Sequence, residues 1–336
     1  MEQNEEKKTK TEELPDSMEA IIRQLKEDKK RAAMHVYTST LHSFCQFAEQ
    51  KGGSLRLAEV FTPGRLKAYE EHLRSHSRQW NTVSTYMRTL QAVYRRLYPV
   101  QHPDYNPFLF KDVYTKVVPL TKRALEEEEL LMVIETDPLP LSPTLQRALG
   151  YFTLLFLLHG MPFIDLAYLQ KKDLKKDRKG NYHLTYCRHK TGREMHVLLP
   201  PHAVEIMEAF RCRDKESIYL FPILPDSTPG KDDEDVYHSY LRALRGFNKT
   251  LKAMGNLLLP PGTDISSYTA RHTWATLAYR RGMPLGAISK ALGHSSIRVT
   301  ENYLKPFADE VVDRMNIKMI DELIHYKKAE YASNSL

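Results

Sequence analysis

The chain has 336 residues, of which 42% are hydrophobic and 27% charged. That balance is ordinary for a soluble globular protein and leaves room for two domains, one with a sizeable core. The net charge of +7 favours a polyanionic partner without requiring one. Three widely spaced cysteines, Cys45, Cys187 and Cys212, exclude a disulfide framework and a zinc motif, and fit a reduced, cytoplasmic setting. The stretch from Met1 to Lys10 is polar with no apolar run behind it, so no secretory leader is expected. The longest apolar run, Tyr151 to Leu158, is too short to span a bilayer and is expected to be a buried helix.

In chain order, residues 1–16 are charged and lack apolar periodicity, which predicts a disordered lead. Ser17 is a candidate N-cap. Ile21, Ile22, Leu25, Ala33, Val36, Tyr37, Leu41, Phe44 and Phe47 then recur at helical spacing, with a possible break across Lys26 to Arg31 and an end at Gly52-Gly53. Thr62-Pro63 has the order of an N-cap and first helical residue, opening a helix to about Ser75. A third helix starts near Asn81 or Thr82, with Val83, Tyr86, Met87, Leu90, Tyr94 and Leu97 on one side. Residues 17–105 therefore read as a small helical domain. Arg78, Arg88, Arg95 and Arg96 give it a basic surface, which is either a solvated face or a DNA-facing one.

Residues 106–122, punctuated by Pro107 and Pro119 and carrying Lys111, Lys116 and Lys122, read as a basic linker. A second domain is expected over 123–306. It begins with a helix opened by Glu126 to Glu129, where acids suit the helix dipole, and continues with the apolar helix ending at Leu158. Asn181 to Cys187 and Glu194 to Leu199 alternate like strands joined at His189-Lys190-Thr191-Gly192, a hairpin with Lys190 near its turn. Helical patterns dominate from Ala203 onward. The fold class expected is mainly α with a small β-sheet (α+β).

The chemistry concentrates near the C-terminal end. Arg271-His272-Thr273-Trp274-Ala275-Thr276 opens a helix that Gly282 closes. Leu292-Gly293-His294-Ser295-Ser296 follows a short helix begun by Pro284, and Tyr303 comes nine residues after His294. An arginine can grip two phosphate oxygens, a histidine can donate to another, and a tyrosine can attack phosphorus and hold the broken strand covalently. Each residue alone is more often structural; the three in this order point to phosphodiester chemistry without a metal or nucleotide. The absence of a Walker loop or metal-ligand cluster in the sequence agrees with that.

These boxes resemble the catalytic region of the tyrosine recombinases, the phage integrase family. The match is strongest over about residues 265–304, and its details are most similar to the branch found on integrative and conjugative elements and DNA inversion systems. The resemblance implies a helical, SAM-like core-binding domain followed by a catalytic domain, and a mobile-element integrase or invertase. It implies Tyr303 as nucleophile forming a 3′-phosphotyrosine, Arg271 as the clamp on nonbridging oxygens, and His294 as a donor. Lys190 would be the acid for the leaving 5′-oxygen, or else a plain phosphate contact. Tyr268 stands where the family usually has histidine, and Asp165 matches a supporting acid.

The family's first arginine, normally beside the Gly-Met that follows the apolar helix, is missing. His159 occupies the neighbouring position as its candidate replacement, and Arg188 or Arg193 on the hairpin could supply the charge instead. The resemblance further implies double-stranded DNA with specific recombination sites as partner, Lys116 and the arginines of residues 17–105 among the DNA contacts, and no cofactor. It implies a homotetramer acting on two sites, with room for accessory DNA-bending proteins and no membrane partner. The amphipathic tail of residues 307–336 would be exchanged between protomers or docked on its own domain. The alternative is a DNA-binding module of the same fold whose strand cleavage is weak or lost.

Overall fold

The computed structural model describes residues 13–28, 30–117, 124–225, 233–301 and 316–321. Tyr303, residues 118–123 at the end of the expected linker and the start of the second domain, residues 1–12 of the lead and most of the tail lie outside the described residues. The chain divides into two compact units, residues 1–120 and 121–336.

Unit 1 is helical: α1 (Leu14–Glu27), α2 (Arg31–Lys51), the single turn α3 (Leu57–Val60), α4 (Pro63–Ser75) and α5 (Trp80–Leu97). The expected break is real, since α1 ends at Glu27 and α2 begins at Arg31. Gly52 closes α2 in the left-handed conformation, and Thr62 caps α4 by accepting from the Arg65 amide at 3.3 Å. The start differs from expectation. Helix α1 opens at Leu14, ahead of Ser17, because Leu14 and Met18 are both fully buried and Pro15 sits in the first turn, where its missing N–H costs nothing. Residues 14–16 therefore belong to the helix and not to a disordered lead.

The core of unit 1 centres on Phe44, Phe47 and Tyr69, whose rings lie 4.8–5.5 Å apart. Burying each such side chain is worth roughly 1.5–3 kcal/mol. The segment expected as a linker is only partly one. Leu109, Phe110 and Val113 enter this core, and buried Glu70 accepts from Lys67 at 2.6 Å and from the Tyr114 amide. Residues 106–114 thus pack as part of unit 1; Pro107 and the surrounding lysines obscured the apolar triplet that anchors them.

Unit 2 contains α6 (Glu127–Ile134), α7 (Pro143–Leu157), α8 (Phe163–Tyr168), a 3-10 turn (Lys171–Asp173), β1 (Leu174–Lys176), β2 (Tyr182–Cys187), β3 (Glu194–Leu198), α9 (Pro201–Phe210), α10 (Asp233–Leu258), α11 (Thr269–Arg280), α12 (Leu285–Ala291) and α13 (Ile297–Glu301). Helix α7 is the apolar run, buried along most of its length against α9, α10 and α11. The strands form an antiparallel β1-β2-β3 sheet. Leu184 pairs with Val197 and Tyr186 with Met195, and these four supply its buried face. Strand β1 escapes sequence reading because three residues, two of them lysine, show no alternation. Residues 316–321 form a helical turn with Ile317, Met319 and Ile320 exposed. No described helix is long and apolar enough to cross a membrane.

Candidate active site

The site is assembled where three chain reversals meet. The first follows α7. His159 and Gly160 both take left-handed backbone conformations, with φ of 60° and 64°, and turn the chain so that the Gly160 carbonyl faces α11. A Cβ at Gly160 would lie 2.9 Å from the Arg271 Cα, so only glycine lets α11 come this close. The non-glycine left-handed residue His159 is an uncommon and mildly costly conformation, held by the packing around it.

Helix α11 carries Arg271 into this gap. The residue is 2% exposed. It donates to Gly160 O at 2.8 Å and to Leu292 O at 2.6 Å, and lies 3.0 Å from His294 Nε2. Two residues on, Thr273 Oγ1 accepts from the buried Leu125 amide at 2.9 Å, tying α11 to the start of unit 2.

The second reversal is the hairpin turn after β2. Arg188 N donates to Arg193 O, and Gly192 N donates to Arg188 O, both at 2.8 Å, leaving Lys190 exposed in the turn. Arg188 itself points inward and is 6% exposed. Its Nε pairs with Asp165 Oδ2 at 2.7 Å, and its Nη1 donates to the same Leu292 carbonyl that Arg271 uses. Arg193 Nη1 donates to His294 O. Asp165, on α8, also accepts from the His189 amide at 2.9 Å. Burial pushes its carboxyl up, while Arg188 and that amide pull it back. Asp165 thus steadies Arg188 and the hairpin base.

The third reversal is Gly293, left-handed at φ 64°. A Cβ there would meet Met195 Sδ at 2.9 Å and Arg188 Nη1 at 3.1 Å. The turn aims the Leu292 carbonyl at both guanidiniums and places His294 against Arg271. His294 Nδ1 lies 2.9 Å from the hydroxyl of Thr300, which is fully buried. Burial, then Arg271, Arg188 and Lys190, push the His294 pKa down to about 4, so the ring is neutral at pH 7. Two buried guanidiniums sharing one carbonyl, with a single carboxylate beside one of them, favour an incoming anion.

A cleft of about 590 Å³ opens beside this cluster, lined among others by His159, Arg193, Lys290, His294 and Ser296. His159 therefore reaches the same cleft as His294. Burial alone lowers its pKa, and its ring sits 5.4 Å from that of Trp274. Tyr268 precedes α11 and is 45% exposed, its ring 4.9 Å from that of His272. In unit 1, Arg78, Arg88, Arg95, Arg96 and Lys116 are all exposed. Sequence reading passed over the Leu292 carbonyl and Thr300; a hydroxyl three residues before Tyr303 was the only available signal. Among the described residues no cluster of histidine, cysteine and carboxylate side chains is arranged to hold a metal ion.

The Phage integrase family profile matches residues 123–310, and the Phage integrase SAM-like domain matches residues 13–113. Transposase B from transposon Tn554 of Staphylococcus aureus is 23% identical over 295 residues, covering 84% of this chain and 44% of that protein. The chain thus spans under half the length of the curated relatives it matches. Among solved structures, the XerH site-specific recombinase bound to difH substrate superposes with a TM-score of 0.56 at 16% identity, covering 88% of this chain and 84% of that one. The Tn1549 transposon integrase with circular intermediate DNA gives 0.52 at 17% identity, covering 90% and 99%. These similarities show a shared fold. With a helical SAM-like unit followed by a catalytic unit matched across most of its length, the chain belongs to the phage integrase family.

Proposed function

We propose that the chain is a site-specific DNA recombinase of a mobile element, cleaving and rejoining duplex DNA through a 3′-phosphotyrosine on Tyr303. The observation that carries this reading is the convergence of Arg271, Arg188 and His294 around the Leu292 carbonyl, with a tyrosine nine residues after that histidine in the chain. A phosphodiester entering the cleft offers the oxygens that both guanidiniums need, and charge accumulates on those oxygens as phosphorus becomes five-coordinate. Tyr303 gives up its phenolic proton to solvent and attacks phosphorus, its bond to the phosphate forms as the bond to the 5′-oxygen breaks, and Lys190 gives that oxygen a proton. The reverse attack by a 5′-hydroxyl rejoins the strand. The tyrosyl ester conserves the bond energy, so no nucleotide is consumed.

In this reading Arg188 replaces the family's missing first arginine. It supplies five N–H donors and a permanent charge, is braced by Asp165, and shares an acceptor with Arg271. His159 lines the cleft, and burial lowers its pKa and so disfavours the charged form. The exposed arginines of unit 1 and Lys116 hold the duplex by its phosphates, and recombination between two sites uses four protomers.

The test is a nicked suicide duplex, drawn from a random library enriched for binding to the full chain. Covalent protein–DNA adduct with the wild type and none with Tyr303→Phe is the expected outcome. Tight, sequence-specific binding with no adduct at any pH would leave a DNA-binding module in place of an enzyme.

A further inference from the structure

His294 is expected to donate a hydrogen bond to the phosphate, yet in the DNA-free protein its Nε2 faces a group that can only donate. Arginine has five N–H donors and no acceptor. At 3.0 Å from Arg271 Nη2, Nε2 must therefore present its lone pair. A neutral imidazole carries one proton, so that proton sits on Nδ1 and is donated to Thr300 Oγ1 at 2.9 Å. The resting tautomer is thus the wrong one for phosphate donation.

We propose that Thr300 is a positioning residue that holds the Nδ1 edge of His294, so that Nε2 stays aimed at the phosphate position and gains its proton only when the phosphate replaces His294 as the acceptor for Arg271. The inference rests on the recombinase reading for its catalytic consequence, though not for its structural part. In the resting state Arg271 occupies the Nε2 lone pair. An incoming phosphate oxygen draws the Arg271 donor to itself and brings negative charge beside the ring. Nε2 then takes a proton from solvent, and the imidazolium donates from both nitrogens, to the phosphate at Nε2 and to Thr300 at Nδ1. A hydroxyl suits this post because its oxygen accepts from Nδ1–H without competing for the phosphate.

Among the described residues, the other charged and titratable groups around the ring include Arg188 and Lys190 from the hairpin, Arg193 on the His294 carbonyl, and His159, His196, Glu194 and Lys290 along the cleft. Burial opposes protonation, and Arg271, Arg188 and Lys190 add to it, which is why His294 rests neutral. Thr300 lies on α13, three residues before Tyr303 in the chain. The same hydrogen bond therefore links the histidine to the segment that carries the nucleophile.

The first test needs no DNA. In full-length protein with ¹⁵N-labelled histidines, and with His294 identified by the signal lost in His294→Gln, long-range ¹H–¹⁵N spectra at pH 7 should show the Nδ1–H tautomer. Thr300→Val should lower the pH at which His294 titrates, because the imidazolium loses an acceptor, whereas Thr300→Ser should match wild type. An Nε2–H tautomer, or identical titration in Thr300→Val and wild type, overturns the proposal whether or not the protein cleaves DNA. The second test is single-turnover cleavage of the nicked duplex against pH. Thr300→Val should be slower by roughly 10–100-fold, with the loss of rate on raising pH setting in at lower pH than in wild type, and Thr300→Ser should restore both. A pH-independent loss shared by the valine and serine variants would mean a purely structural role and would equally overturn it.

Discussion

Arg271 and Arg95 are the same side chain in opposite circumstances. Arg271 is 2% exposed and engages Gly160, Leu292 and His294; Arg95, near the end of α5, is exposed to solvent. A buried guanidinium has given up its hydration, so its position is set by fixed acceptors and its charge acts through a medium of low polarisability. An exposed one is screened within about 10 Å at ordinary salt and can follow a phosphate backbone without fixed geometry. Under the proposed function this is a division of labour: the buried arginines would stabilise one transition state, and the exposed ones would hold many sequences.

Several substitutions would break or sharpen that contrast. Arg271→Ala should have the largest effect, lowering the single-turnover cleavage rate by about 10²–10³ while duplex binding changes little. Arg271→Lys should not rescue it, because a point charge cannot satisfy two carbonyls and a phosphate together. A rate within a few-fold of wild type for Arg271→Ala would show that the buried site is not where chemistry occurs.

Gly160→Ala should come next. It places a side chain in the left-handed region and 2.9 Å from the Arg271 Cα. A cost of about 1–3 kcal/mol is expected in denaturant unfolding of unit 2. An unchanged unfolding midpoint would mean that α11 can retreat from the turn.

The pH dependence of stability separates the buried histidine from exposed ones. His294 has its pKa lowered from the ordinary 6.5 to about 4. The unfolded chain therefore binds a proton more readily than the folded one. The stabilising contribution is complete above 6.5 and is lost as pH falls from there toward 4. His294→Gln should flatten that part of the thermal-stability profile, while a variant of exposed His202 should not. An equal slope in both variants would place the effect elsewhere.

The smallest effect on chemistry should come from Arg95→Ala and Arg96→Ala. Each should weaken duplex binding about equally for all sequences and reduce the salt dependence by about one counterion. An unchanged salt slope would assign these arginines to a plain solvated face.

Much of this arrangement was legible in the sequence because it rests on local chemistry. Thr62-Pro63, Gly282 and Gly293 mark helix ends through backbone rules that act within a few residues, and the alternation of β2 and β3 records one buried face. The chain order of Arg271, His294 and Tyr303 pointed to phosphodiester chemistry, and the structure brings Arg271 and His294 to 3.0 Å of each other, while Tyr303 lies outside the described residues. What stayed hidden was long-range. The alternation through Leu184 and Tyr186 carries Arg188 to the inner face, but its partners Asp165 and Leu292 lie far along the chain. The burial of Leu109, Phe110 and Val113 was obscured by surrounding prolines and lysines, and the pairing of Thr300 with His294 is one hydroxyl among many.

The central claim is that Arg188, and not His159, stands in for the missing first arginine. It is tested most directly by single-turnover cleavage of the nicked duplex with Arg188→Ala and His159→Asn side by side, asparagine being chosen because it tolerates the left-handed backbone. The expected result is a loss of roughly 10²-fold for Arg188→Ala and no more than a few-fold for His159→Asn, at any pH between 6 and 8. A large loss in His159→Asn that deepens as pH rises, with Arg188→Ala near wild type, would contradict it.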